Sequence, residues 1–191
     1  PGPFNHHIGG DWEELGGVFQ PTSGTIVFDG SAGELISQLS SNWFYNVKIK
    51  KTGILTLKTD MNIHGSLVID EGQLLPDTFD INLKGNWDSR GGIFQATGGY
   101  VKFCGTYETI QVDTQDYFND IIVNVQDSVR ALDSLIVKGD FSVTGGKFSP
   151  GNFNHRIYGD FNAVGGIFQP EAGRIIFADS SEVNVDDDWF N

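Results

Sequence analysis

The sequence repeats itself with a long and regular period. Three stretches begin with Phe followed by Asn or Asp, at Phe4, Phe79 and Phe153. Each carries Gly-Gly, an apolar residue, Phe and Gln from offset 12, and ends in another Phe at offset 24. The starts lie 75 and then 74 positions apart, which divides the chain into super-repeats 4–78, 79–152 and a partial copy, 153–191. A chain with such a period folds as stacked copies of one structural unit.

A shorter unit lies inside each super-repeat. Five glycines occupy its first position, and in each copy a Pro or Ala stands at offset 11 from the glycine: Gly10, Gly65, Gly85, Gly139 and Gly159. The spacing from Gly65 to Gly85 is the same as that from Gly139 to Gly159. These spacings indicate units of about 18–20 residues, with about four in each super-repeat.

The local pattern is typical of strands and not of helices. Apolar and polar residues alternate in Thr25-Ile26-Val27-Phe28 and in Tyr100-Val101-Lys102-Phe103, and Gly or Pro recurs every few residues. The sequence therefore predicts an all-β fold, a single-stranded parallel β-solenoid of about ten coils of about 18–20 residues. Its coils are expected to be right-handed, the usual hand of parallel crossovers.

The repeat predicts which side chains stack in the core. We expect Leu67 over Trp87, Leu74 over Phe94, Phe141 near Phe161 and Phe148 near Phe168. The phenylalanines assigned to the core are Phe19, Phe28, Phe94, Phe103, Phe148, Phe168 and Phe177.

The recurrent glycines are interpreted as corner residues that adopt positive φ. The Asp or Asn that follows four of them is expected to bond its own backbone in the same turn, at Asp11, Asn86, Asp140 and Asp160.

Composition and motifs exclude several functions. A formal net charge of −13 disfavours binding to a phosphate backbone. No apolar run is long enough for a membrane-spanning helix, and one cysteine, Cys104, rules out an intramolecular disulfide. Phosphate-binding loops, nucleophile elbows and zinc-protease motifs are absent, so we expect no enzyme and no cofactor.

Three groups of residues remain as alternatives for a chemical site. Asp186, Asp187 and Asp188 form the densest acidic run, which a solvated loop explains better than a calcium site. His6, His7, His64 and His155 stand at positions that vary between copies, and are expected to face outward or lie in turns. Cys104 is expected to fill an outward position. A carbohydrate-binding or polysaccharide-cleaving protein would need exposed aromatic platforms, for which Trp12 and Trp87 are the candidates, although both are assigned to the core.

The short unit occurs in five copies that resemble known repeats. Each copy has an apolar residue, any residue, Gly, then Asp, Asn or Ser, then an aromatic residue or Leu, and continues as Gly-x-Phe/Leu-x-Pro. They are similar to the parallel β-helical repeat regions of large bacterial surface and secreted proteins of the adhesin, autotransporter-passenger or filament type. That resemblance implies a structural, non-catalytic segment of an extracellular filament, sheath or adhesin stalk. The alternative is a carbohydrate-binding or polysaccharide-cleaving β-helix.

Both chain ends fall inside the repeat, so 1–191 is expected to be one continuous solenoid and a window of a longer array. The expected partners are further copies of the repeat, joined end to end, and surface glycans.

Overall fold

The part of the chain that the structure describes folds into twenty short strands. The fold is described from a computed structural model, for residues 2–179 and 181–185. In chain order the strands are β1 (Asn5–Ile8), β2 (Trp12–Glu13), β3 (Thr25–Phe28), β4 (Gly33–Ser37), β5 (Asn46–Leu57), β6 (Met61–Ile63), β7 (Leu67–Leu75), β8 (Ile81–Leu83), β9 (Trp87–Asp88), β10 (Ile93–Phe94), β11 (Tyr100–Phe103), β12 (Tyr107–Gln111), β13 (Asp120–Ala131), β14 (Ile136–Val137), β15 (Phe141–Ser149), β16 (Asn154–Ile157), β17 (Phe161–Ala163), β18 (Ile167–Phe168), β19 (Arg174–Phe177) and β20 (Val183–Val185). These residues include no helix long and apolar enough to cross a membrane.

Strands pair with the strands one turn before and one turn after them, always in parallel. Val47 pairs with Leu67, and Leu67 pairs in turn with Trp87. The other predicted neighbours also pair: Leu74 with Phe94, Phe141 with Phe161 and Phe148 with Phe168. The predicted all-β parallel β-solenoid is therefore confirmed, with about nine turns instead of ten.

A turn is slightly longer than the sequence indicated. Val129 pairs with Phe148, 19 positions further on, whereas Trp87 pairs with Ile110, 23 positions further on. Most partners lie 20 or 21 positions apart, as Val47 and Leu67 or Asn154 and Arg174 do. The three extra residues of the longer turn lie between β11 and β12, because Leu83 still pairs with Phe103, 20 positions further on, and the stack is not interrupted.

Each turn has three faces. Face 1 contains β1, β3, the starts of β5 and β7, β9, β12, the ends of β13 and β15, and β18. Face 2 contains β2, β4, the ends of β5 and β7, β10, β14, β16 and β19, joined across Tyr117 and Phe118. Face 3 contains β6, β8, β11, the starts of β13 and β15, β17 and β20.

The super-repeat is not a whole number of turns. Phe19 belongs to face 3, because its carbonyl accepts the N–H of Trp43 next to the bridge between Phe44 and Ile63. Its counterparts one and two super-repeats later, Phe94 and Phe168, lie on face 2 and face 1. The super-repeat therefore spans about three and two-thirds turns, not the four that the sequence suggested, and each copy is rotated by one face.

One apolar core runs along the axis. The turns from Phe28 near the start to Phe161 near the end each contribute fully buried Ile, Val, Leu or Phe. Aromatic rings from one turn pack together, as Trp87 and Phe94 do at 4.6 Å between ring centroids. Phe19 and Phe177 are only partly buried against this core, because each has fewer turns stacked beyond it.

Candidate functional site

The recurrent glycines lie at the corners, but for a different reason from the predicted one. None of Gly10, Gly65, Gly85, Gly139 and Gly159 has a positive φ. A Cβ added to Gly85 would lie 2.5 Å from the carbonyl carbon of Gly65, one turn earlier, so four of these positions are restricted by the close approach of adjacent turns. Gly10 has no atom within 4 Å of such a Cβ. Positive φ occurs at other glycines, among them Gly72 and Gly146, where β7 and β15 bend.

The polar residues after these glycines connect one turn to the next, and do not bond their own backbone as predicted. At the corner between faces 3 and 1, Asn46 Oδ1 accepts the N–H of Ser66 at 2.9 Å. Ser66 Oγ accepts the N–H of Asn86 at 3.1 Å, and Asn86 Oδ1 accepts that of Thr109 at 2.9 Å. Each side chain thus satisfies a backbone donor that the corner leaves without a strand partner.

The equivalent column in the second super-repeat is acidic. Asp120 Oδ1 accepts the N–H of Asp140, and Asp140 Oδ1 accepts that of Asp160, both at 2.8 Å. Asp160 Oδ1 accepts the N–H of Glu182 at 2.7 Å. The pKa of Asp120 is raised, chiefly by burial and also by the charges of Asp140 and Asp80. The first turn uses the same device, from Asp11 Oδ1 to the N–H of Glu34.

Equivalent corners of the two super-repeats are filled by different buried polar side chains, Lys51 in the first and Glu108 in the second. Lys51 is fully buried, and its Nζ donates to the carbonyls of Asp29 at 2.6 Å and Ala32 at 3.0 Å. A Cβ on Gly33 would lie 3.0 Å from that Nζ. In the second super-repeat Glu108 stands at the position of Gly33, and Val125 stands at the position of Lys51.

Among the described carboxyl groups, that of Glu108 has the largest pKa shift. It is 2 % exposed, its Oε1 accepts the N–H of Gly105 at 2.7 Å, and its Oε2 has no hydrogen-bond partner among the described residues. Burial raises the pKa of Glu108 to about 7, against the backbone hydrogen bonds from Gly105 and Cys104, which lower it. Sequence reasoning missed this residue, because its position holds Gly in the first super-repeat.

The histidines do not share one environment. The expectation of outward or turn positions is wrong for His155, which is 2 % exposed: Nδ1 accepts the N–H of Leu135, and Nε2 donates to the carbonyl of Pro150. Burial lowers the pKa of His155, which favours the neutral ring that this pairing needs. His7 Nδ1 lies 2.6 Å from Asp29 Oδ2. No group of three or more metal-ligating side chains occurs among residues 2–179 and 181–185.

The aromatic and acidic candidates from the sequence do not form a site. Trp87 is fully buried, and its Nε1 donates to Ser89 Oγ inside the core. Trp12 is partly buried against Phe19 and Phe44. The calcium hypothesis for Asp186, Asp187 and Asp188 concerns residues outside the described ones.

Cys104 is only partly exposed. Its Sγ lies 3.4 Å from the carbonyl oxygen of Leu83, one turn earlier, and burial raises the pKa of the thiol. A thiol with a raised pKa is a poor nucleophile at neutral pH.

A groove of about 300 Å³ runs along the outside of face 3. It crosses four successive turns, which contribute Ser41 and Trp43, then Asn62 and His64, then Asn82 and Lys84, and finally Cys104. Trp43 and His64 stack face to face, with ring centroids 4.0 Å apart and ring planes 10° apart. Asn82 Nδ2 donates to Asn62 Oδ1 at 3.1 Å. Burial lowers the pKa of His64, and the charge of Lys84 lowers it further.

Sequence reasoning did not find this groove. Trp43 lies in a weak copy of the repeat and His64 in a variable position, and only the observed register, in which Phe44 pairs with Ile63, brings their two rings into contact. Comparison of the chain with protein-family models, with curated proteins and with solved structures found no match in any of the three.

Proposed function

We propose that this chain is a structural, non-catalytic repeat segment of an extracellular bacterial filament, sheath or adhesin stalk. The observation that carries the proposal is the continuity of the stack. Each turn is held by the same three kinds of contact to its neighbours: parallel backbone pairing, apolar packing on the axis and side-chain bonds at the corners. Length is added to such a rod one turn at a time, without any new kind of interaction.

The rotation of the super-repeat supports a mechanical role. Because each copy is turned by one face, equivalent surface residues follow the rod around its axis instead of collecting on one side. The corner bonds rotate in the same way, with Asp11 between faces 1 and 2, Asn46 between faces 3 and 1, and Asp120 between faces 2 and 3. Every corner is therefore reinforced somewhere along the length.

The first turn supports end-to-end association with further copies of the repeat. Its large apolar side chains Phe4, Leu15 and Val18 are 68 %, 89 % and 80 % exposed. Among the described residues β1 pairs with β3 and β2 pairs with β4, and a further copy of the repeat, in the same chain or in another, can add to the other side of such parallel strands.

Electron microscopy of the purified chain at increasing concentration tests the filament form. We expect rods that lengthen by end-to-end contact, and shorter rods for the double variant Leu15→Lys, Val18→Lys. Immunolabelling of intact and permeabilised cells of the producing organism tests the location. Discrete monomers at every concentration would contradict self-association, and label that reaches the chain only in permeabilised cells would contradict an extracellular stalk.

A further inference from the structure

The groove on face 3 has the features of a ligand site. Its volume of about 300 Å³ is at the lower end of the range of small-molecule pockets, and it is open along its length across four turns. Adjacent turns are about 4.8 Å apart, so the groove extends about 14 Å parallel to the rod axis. Such a shape suits a linear polymer laid along the rod.

The lining offers hydrogen-bonding groups that the described residues do not use. The bond between Asn82 Nδ2 and Asn62 Oδ1 leaves the amide N–H groups of Asn62 and the carbonyl oxygen of Asn82 available. Asn42, which also lines the groove, is 2 % exposed, and its Oδ1 has no partner among the described residues. Donors and acceptors on successive turns match a ligand rich in hydroxyl groups.

One wall of the groove is aromatic. The indole Nε1 of Trp43 donates to the carbonyl of Pro21 at 3.1 Å, so the groove receives the apolar part of that ring system and not its polar atom. His64 lies flat against Trp43 and extends the wall into the next turn. An apolar wall beside amides is suited to a sugar ring, which has C–H groups on its faces and hydroxyls on its rim.

The charge of the lining indicates the kind of sugar. Lys84 is the one lining side chain that is charged at neutral pH, and it makes no ion pair among the described residues. The chain as a whole carries a formal net charge of −13. Around the groove the balance is different, because Lys102, which pairs with Asn82 one turn later, lies near Cys104 as Lys84 does. Two lysines beside otherwise neutral lining side chains make this part of an acidic chain locally basic, which favours a ligand that carries carboxylates.

The second super-repeat has the same backbone without these features. Ile136 stands at the position of Asn62, and Tyr158 stands at that of Lys84. The Lys138 ammonium, at the position of His64, lies 4.1 Å from the centroid of the Tyr158 ring. The solenoid therefore does not need the groove residues in order to stack.

We propose that this groove binds a linear acidic polysaccharide, with the sugar chain along the rod axis, its rings against Trp43 and His64, and a carboxylate paired with Lys84. The site goes beyond the structural role and does not depend on the chain being part of a stalk. Bound in this way, the polymer bridges four turns of the rod.

Titration calorimetry with the full chain tests the site. The probe is an oligogalacturonate, compared with a neutral cello-oligosaccharide of equal length and with a short polyphosphate, at pH 7 and low salt. We expect saturable binding of the oligogalacturonate that weakens as salt rises, and weaker binding of the two comparison ligands.

Two variants and one control locate the site. Lys84→Gln should lower the affinity at least tenfold, and Asn62→Ile should abolish binding, because Ile occupies that position in the second super-repeat and fills the groove. The matched control Lys50→Gln removes an exposed lysine outside the groove and should leave the affinity unchanged. Melting temperatures of all three variants verify that each is folded.

Some outcomes would overturn the proposal. Absence of binding, or binding that survives both Lys84→Gln and Asn62→Ile, would show that the groove is not the site. Equal affinity for the neutral oligosaccharide, or tighter binding of polyphosphate, would show that the ligand is not a carboxylated sugar polymer. None of these results bears on whether the chain forms extracellular rods, which microscopy and immunolabelling test separately.

Discussion

Replacing Glu108 with Gln should change how stability depends on pH. Glu108 is 2 % exposed, and burial raises its pKa to about 7 in the folded chain, against about 4.3 for an unfolded glutamate. Below about pH 4 the carboxyl is protonated in both states. Between these values only the unfolded chain ionises, so stability falls as pH rises, and the fall is complete above the folded pKa.

The size of the effect follows from the two pKa values. One pKa unit corresponds to about 1.4 kcal/mol, so the folded chain should lose about 3 kcal/mol between pH 4.5 and 8.5 through this one group. Glu108→Gln keeps an oxygen for the N–H of Gly105 but cannot ionise, so its stability should lack that fall. The thiol of the neighbouring Cys104, with its raised pKa, stays neutral over the same range.

Urea unfolding followed by circular dichroism at pH 4.5, 5.5, 6.5, 7.5 and 8.5 measures the difference. The control Glu71→Gln removes an exposed glutamate two turns earlier and should leave the pH profile of the wild-type chain unchanged. Parallel pH profiles for the wild-type chain and Glu108→Gln would refute the reasoning, because they would mean that Glu108 ionises in the folded chain as easily as in the unfolded one.

Two further predictions concern the corners. Asp140→Asn should raise the free energy of unfolding by about 0.5 kcal/mol at low salt, because Asn keeps the acceptor for the Asp160 N–H and removes one of the stacked like charges. Asn86→Asp, in the neutral column, should lower the free energy of unfolding. Changes of the reverse sign in urea titrations would contradict the role given to charge. Gly85→Ala should lower the free energy of unfolding by about 2 kcal/mol or more, because the new Cβ would lie 2.5 Å from the backbone of the preceding turn. Gly10→Ala, with open space around the new Cβ, should leave the free energy of unfolding nearly unchanged. Equal destabilisation by the two substitutions in thermal melts would be inconsistent with the close-approach explanation.

Much of the fold could be predicted because the repeat constrains it directly. The spacing of Gly65 and Gly85 sets the register of one turn on the next, and that register places Leu67 on Trp87 and Leu74 on Phe94. The length of a turn could be predicted less accurately, because the loops around Asp113 and Leu39 add residues that no motif marks. A small error in the length of each turn is enough to hide the rotation of the super-repeat.

Several local predictions failed because a sequence does not show which atoms of adjacent turns approach each other. Gly85 was interpreted through its own φ, whereas the restriction comes from the backbone of the preceding turn. Asp140 was interpreted through its own backbone, whereas its carboxylate accepts an N–H of the following turn. His155 was placed outside because its position varies between copies, yet its two ring nitrogens join Leu135 to Pro150 within the stack.

The groove and the buried carboxyl were missed for a related reason. Trp43, His64 and Lys84 each lie one turn apart in the chain, and no pair of them forms a motif. Glu108 is recognised as a buried carboxyl only in the structure, where the space that it fills corresponds to the space that Lys51 fills in the first super-repeat.

Spin–spin distances across the turns test the central claim most directly. Spin labels at Lys50 and Glu71, two exposed positions that pair across adjacent turns, should lie close enough for strong dipolar broadening in a Cys104→Ser background. Labels at Lys50 and Asn124, equivalent residues in successive super-repeats, should show none, because rotation by one face separates them. Broadening of the second pair without the first would mean that the whole super-repeat forms one turn, which would contradict the stack of short turns.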